Sequence, residues 1–180
     1  MRVITGSVRG RKLREPEGMD IRPTSDQVKE ALFNIVQFDV EGRRVLDLFA
    51  GTGQLGIEAL SRESKSAVFV DEREDACRLI KENLKRTKLE QFARVIRSDY
   101  MAYLKTCRDK FDIIILDPPY AEVFLENSLK MITEIDILQS GGIIVTERPV
   151  GKELPWNFEG FERSRDYKYG NTLITIYRKL

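Results

Sequence analysis

The run Phe111-Asp112-Ile113-Ile114-Ile115-Leu116 passes without a break into Asp117-Pro118-Pro119-Tyr120, and this junction constrains the chain more than any other stretch. An aliphatic run of this length, rich in β-branched residues and closed by two prolines, reads as a central strand of a parallel sheet, stiffened where it leaves the sheet. In open α/β sheets, ligands bind at such carboxyl ends. Pro118 biases Asp117 toward extended backbone, and the two rings remove two N–H donors while leaving their carbonyls. What remains is a rigid edge of acceptors. The Asp117 carboxylate and a neighbouring carbonyl can take both hydrogens of a planar exocyclic amine, and Tyr120 offers a ring on which a base stacks. The expectation is a pocket for a nucleobase amine.

A second fixed point lies upstream. Arg43-Arg44-Val45-Leu46-Asp47-Leu48-Phe49-Ala50 reads as a buried strand and runs into Gly51-Thr52-Gly53-Gln54-Leu55-Gly56 and then a helical stretch through Leu60. Glycines at a strand-to-helix turn tolerate positive φ and let the backbone approach a ligand, while the helix start presents free N–H groups. The next strand, Ala67 to Val70, ends at Asp71, about twenty residues after the first glycine, where a carboxylate can accept from both ribose hydroxyls. A third strand, Ala93 to Ile96, ends at Ser98-Asp99-Tyr100; Asp99 is placed either to accept from an adenine amine or to cap the following helix. The pattern predicts an adenosine-type cofactor lying across several strand tips.

The rest of the chain fits around these. Thr24-x-x-Gln27 reads as a capping box opening a helix to about Phe38, with Val28, Ala31, Leu32, Ile35 and Val36 as its apolar stripe. Further helices are expected from about Glu74 to Arg86, briefly around Ala102 to Leu104, and from Val123 to Ile132, with a fifth strand at Ile143 to Thr146. Segments Phe161–Tyr169 and Thr172–Tyr177 alternate around Gly170-Asn171, a hairpin signature that closes a parallel sheet with an antiparallel pair. At the start, Arg2 to Gly6 and Gly10 to Leu13 read as a two-stranded ribbon apart from the main sheet, resting on the domain or on RNA. Arg2, Arg9, Arg11, Lys12 and Arg14 concentrate positive charge there although the whole chain carries only +1, so the ribbon is placed to hold a polyanion. Arg22 and Thr24 stand beside a helix start that can bind an anionic group.

Composition removes whole classes of chemistry. There is no histidine, so His triads, His metal ligands and imidazole acid–base catalysis are excluded, and Cys77 and Cys107 have no metal spacing. No metal is expected. No run approaches the roughly 20 apolar residues of a membrane span, and no charged-then-apolar leader opens the chain, so the expectation is a cytoplasmic protein.

Gly51-x-Gly53-x-x-Gly56 with Asp71 also fits a dinucleotide fingerprint, making a nicotinamide-dependent oxidoreductase the rival reading. About forty residues before the first strand, the closing hairpin and a motif with no role in hydride transfer weigh against it. A methyl donor fits better.

The motifs Asp47-Leu48-Phe49-Ala50-Gly51-Thr52-Gly53 and Asp117-Pro118-Pro119-Tyr120 resemble those of Rossmann-like, S-adenosylmethionine-dependent amino-methyltransferases. Together with the N-terminal segment, Arg22-Pro23-Thr24-Ser25-Asp26-Gln27 through Asn34, and the Lys168 to Thr172 hairpin, they resemble the RsmD family of 16S ribosomal RNA guanine-N2 methyltransferases along essentially the whole chain. The resemblance implies a seven-stranded, mostly parallel α/β sheet with helices on both faces, a ribbon and linker over residues 1–23 and a class I methyltransferase domain over 24–180. It implies S-adenosylmethionine held by Asp47, Phe49, Ala50, Gly51, Thr52, Gly53, Asp71, Glu72, Asp99, Tyr100 and Asp117. It also implies small-subunit RNA contacted by Arg2, Arg9, Arg11, Lys12, Arg22 and Thr24, and a monomer. Asp71 departs mildly, standing where some relatives carry Glu, which shortens the reach to the ribose. A DNA adenine-N6 methyltransferase and an idle RNA-binding assembly module are the alternatives.

Overall fold

A computed structural model describes residues 1–18, 23–119, 121–154 and 158–180. Arg22 and Tyr120 therefore lie outside the described residues.

Strand and helix alternate as the hydrophobic pattern requires: α1 Asp26–Ile35, β1 Arg44–Asp47, α2 Gln54–Ser61, β2 Ser66–Asp71, α3 Glu74–Thr87, β3 Ala93–Arg97, α4 Tyr100–Thr106, β4 Phe111–Leu116, α5 Ala121–Ile135, β5 Leu138–Pro149. Three further strands, β6 Phe161–Arg163, β7 Tyr167–Tyr169 and β8 Thr172–Lys179, complete the sheet. Its order is β3-β2-β1-β4-β5-β8-β6, with β7 also paired to β8. The first five strands run parallel, and β8 returns antiparallel to β5. Against the seven strands expected there are eight, but β6 and β7 pair with opposite ends of β8 and share one flank of it. Residues 164–166 break that flank in two.

Successive strand residues face opposite sides, so one strand feeds two cores. Ile113 and Ile115 of β4 pack on the side of α1, α2 and α3, and Ile114 and Leu116 on the side of α4 and α5. Gly56 explains how close α2 lies to the sheet: a Cβ there would stand 2.3 Å from Phe69 Cε1. No helix among the described residues is long and apolar enough to cross a membrane.

The N-terminal segment is shorter in pairing than expected and more firmly docked. Its ribbon reduces to one bridge, Arg2 to Lys12. Val3 and Leu13 enter the α1–α3 core. The buried Glu58 carboxylate on α2 accepts from Ile4 N (2.8 Å) and Thr5 N (3.0 Å), while Ser61 O accepts from Ser7 N (2.7 Å). Gly6, at φ 91, lies so close that a Cβ would stand 1.8 Å from Ser61 O. The domain itself is the surface on which this segment lies.

The α1 cap also differs from the capping-box expectation. Ser25 is the N-cap, its Oγ accepting from Val28 N at 3.2 Å, and the helix ends at Ile35 rather than Phe38. Thr24 is thereby released for a different contact.

Candidate active site

Strand order reverses between β1 and β4, and the loops leaving the carboxyl ends of neighbouring strands diverge there to open a crevice. A cavity of about 710 Å³ occupies this position. Its floor is the glycine turn. Gly51 (φ 53) and Gly53 (φ 77) take left-handed backbone, and Gly53 caps α2.

Asp71, at the tip of β2, braces the turn from the side: Oδ2 accepts from Gly51 N at 2.9 Å and Oδ1 from Arg73 N at 3.0 Å. Both oxygens retain further lone pairs toward the cavity that Asp71 and Glu72 line. Asp99 caps α4, its Oδ1 accepting from Met101 N and Ala102 N at 3.0 Å each, and lines the same wall. Both readings of Asp99 are thus compatible, because capping uses only one of its oxygens. Tyr100 is buried within an aromatic cluster, its ring 5.1 Å from that of Phe49 and 5.4 Å from that of Phe124. Phe49, Ala50 and Thr52 line this half of the cavity as well.

Two expected contacts fall elsewhere. Asp47 is buried beneath the turn, with Oδ2 accepting from Gly56 N at 3.0 Å, and does not reach the cavity. Burial pushes its pKa up to about 7 against the opposing Gly56 N–H. Asp47 ties the strand to the helix. Gly53 also lies off the cavity wall, packed toward Ile80, where a Cβ would stand 3.1 Å from Cγ1.

On the opposite wall stand Asp117, Pro118 and Pro119 from the tip of β4. Thr24 Oγ1 donates to Asp117 Oδ2 at 3.0 Å. Gln54, the first residue of α2, secures Thr24 in turn by donating from Nε2 to its carbonyl at 3.0 Å. Burial pushes the Asp117 carboxyl up to about 6, opposed by the Thr24 hydroxyl.

Sequence reasoning missed Glu147, Phe124, Asn171 and Thr172, all on the cavity wall. Glu147 was signalled in the chain: it follows the strand Ile143 to Thr146 as Asp117 follows Leu116. The basic residues are distributed unevenly. Arg2 pairs with Asp26 (3.1 Å) and Arg14 with Glu82 (2.5 Å), whereas Arg9, Arg11 and Lys12 are exposed and make no ion pair among the described residues. No group of His, Cys, Asp or Glu among the described residues is arranged to hold a metal.

A family model described as "Conserved hypothetical protein 95" matches residues 1–178. Ribosomal RNA small subunit methyltransferase D of Escherichia coli (strain K12) is 33% identical over 180 residues, covering 99% of this chain and 90% of that protein. The chain belongs to the RsmD family. YlbH of Bacillus subtilis (strain 168) is 42% identical over 182 residues and 99% of both chains. The solved structure of yhhF from Escherichia coli, 30% identical, superposes with a TM-score of 0.90 over 99% of this chain and 97% of that one. RsmD-family membership and this superposition place the sheet among the class I methyltransferase folds.

Proposed function

We propose that the protein is an S-adenosylmethionine-dependent methyltransferase that modifies the exocyclic N2 amine of a guanine in small-subunit ribosomal RNA. The observation that carries this reading is the position of Asp117-Pro118-Pro119: a rigid acceptor edge facing a glycine turn across one cavity. The cavity suits the cofactor by its donor set. Asp71 and Glu72 offer carboxylates for ribose hydroxyls, Asp99 and Tyr100 a polar and an aromatic contact for adenine, and the Gly51 turn a backbone surface without side chains. When bound, S-adenosylmethionine supplies an electrophilic methyl group.

The chain supplies position and proton acceptors. The guanine N2 lone pair is delocalised into its ring, so the nitrogen gains most from being held in line with the methyl group. A duplex base must leave its stack to enter, at a cost of a few kcal/mol. Asp117 and the Pro118 carbonyl accept the two amine hydrogens and concentrate electron density on nitrogen. The nitrogen would gain the methyl as the methyl–sulfur bond breaks to leave a neutral thioether; the alkylated nitrogen is acidic, and one N–H proton would leave to the Asp117 carboxylate that accepts it as a hydrogen bond. Tyr120 follows in sequence as a stacking ring. Arg9, Arg11 and Lys12 hold the RNA backbone, and the protein acts as a monomer in the cytoplasm.

The test is transfer of labelled methyl to three substrates: small ribosomal subunits lacking the modification, the corresponding naked RNA, and duplex DNA. Label on guanine N2 of the subunit or its RNA, abolished in Asp117→Ala with cofactor affinity retained, is the expected result. Label on DNA adenine would assign the protein to adenine-N6 chemistry, and cofactor binding without transfer to any of them would make it an idle assembly module.

A further inference from the structure

Asp117 has a carboxyl neighbour. The parallel register pairs Leu116 with Thr146, so the next residues, Asp117 just past the end of β4 and Glu147 within β5, lie side by side. Between them stands one hydroxyl, Thr24 Oγ1, 3.0 Å from Asp117 Oδ2 and 3.4 Å from Glu147 Oε2. A hydroxyl carries a single hydrogen and can donate to only one of the two. With both carboxyls ionised, the longer contact would set oxygen lone pairs against each other between two side chains partly withdrawn from solvent.

Among the described residues no cation relieves this crowding. Neither carboxylate forms an ion pair among the described residues. Glu147 has Ile174 as its partner on β8, and the hairpin wall beside it is the uncharged Asn171 and Thr172. Arg148, next on β5, is buried and engaged by Asp166 and Thr175. Lys29 of α1 gives its ammonium to Arg2 O and Gln54 Oε1, and Arg73 across the cavity is engaged by Asp75. Asp47 of β1, another acid, is a further charged neighbour of Asp117.

One additional proton completes the arrangement. We propose that Glu147 is a positioning residue of this site: it carries a resident proton donated to Thr24 Oγ1, whose own hydrogen goes to Asp117, which therefore meets the substrate amine as an oriented anion. The proposal rests on Asp117 receiving the amine, as in the function proposed above. Burial and the charge of Asp117 push the Glu147 carboxyl up, so that it holds a proton more readily than a free carboxyl does, and the Thr24 hydroxyl placed between the two acids passes the donor chain on to Asp117.

The experiment has two arms, and the first needs no substrate. In the full chain with ¹³C-labelled glutamate carboxyls, one resonance, identified by its loss in Glu147→Gln, titrates near pH 8 and moves toward the usual carboxylate range in Asp117→Asn. Titration of that resonance in the usual range in the wild type overturns the proposal. The second arm is methyl transfer as a function of pH. Glu147→Ala lowers kcat about tenfold or more with KM little changed, because Asp117 loses its orientation. Glu147→Gln, whose amide can donate to Thr24 in place of the acid, recovers most of that loss and abolishes the fall in rate that the wild type shows above about pH 8. An alkaline fall unchanged in Glu147→Gln, or a Gln variant as slow as Ala, overturns it. Failure of every nucleic-acid substrate with the wild type would remove the function proposed above and leave the carboxyl titration to decide the proton's place.

Discussion

At the scale of single residues, the site is a set of acids whose roles are separated by what each already holds. Asp71 spends one lone pair of each oxygen on the turn and strand backbone, at Gly51 N and Arg73 N, and keeps the others for a ligand. Asp71→Ala is therefore expected to weaken S-adenosylhomocysteine binding by about tenfold or more, the size of a lost hydrogen bond to a charged group, as read by calorimetric titration. An unchanged Kd would place the ribose elsewhere. Asp71, Asp99 and Asp117 were legible because each follows a run of strand residues, and carboxyl ends are where ligands sit. Asp47 ends β1 as Asp71 ends β2, but its side chain goes under the turn to Gly56 N, a partner nine residues on that the strand pattern does not reveal. The capping-box pattern pointed to Thr24, one residue before the hydroxyl that caps the helix. A tertiary partner, Asp117, claims Thr24 and leaves the cap to Ser25.

At the scale of elements, the N-terminal segment and α2 form a unit that periodicity could not reveal. The return of the segment on itself was legible from Arg2 to Leu13, but it forms one bridge rather than two strands, and its seat on α2 depends on the buried Glu58 carboxylate, fifty-odd residues away in sequence. Docking this way leaves Arg9, Arg11 and Lys12 projecting into solvent. Neutralising all three is expected to lower affinity for substrate RNA and to reduce the slope of log K against log salt by about 2, as three fewer phosphates are neutralised. Filter binding across a salt series measures both, and an unchanged slope would remove the segment from the RNA interface. The closing hairpin was legible as alternation around Gly170-Asn171. Its interruption at residues 164–166 was not, because Asp166 is drawn out of the strand by Arg148, Arg163 and Thr175, partners from β5, β6 and β8.

At the scale of the whole molecule, three acids beside the cavity and its glycine turn make stability depend on pH in a definite direction. Asp47, Asp117 and Glu147 are raised to about 7, 6 and 8, so the folded chain holds these protons more tightly than the unfolded chain does. Their contribution is fully present below the ordinary carboxylate range and is lost as pH rises toward about 8. Asp136 works in the opposite sense, since Lys179 and Lys110 hold it down to about 2 and its contribution is lost on acidification. Urea denaturation is expected to show greater stability at pH 6 than at pH 9, with Glu147→Gln narrowing the difference; equal midpoints would contradict the shared cause. The sheet order was legible only in outline, because strand runs predict parallel pairing but not which strand neighbours which. That order, β3-β2-β1-β4-β5-β8, sorts the cavity by position along the chain. Wall residues 48 to 100 come from tips on one side of the switch point and residues 117 to 172 from tips on the other, joined among the described residues by the short stretch 23–28. A lineage descending from this architecture can reshape the wall around Asp117 through changes in the latter part of its gene, while the earlier part leaves the glycine-turn wall unaltered.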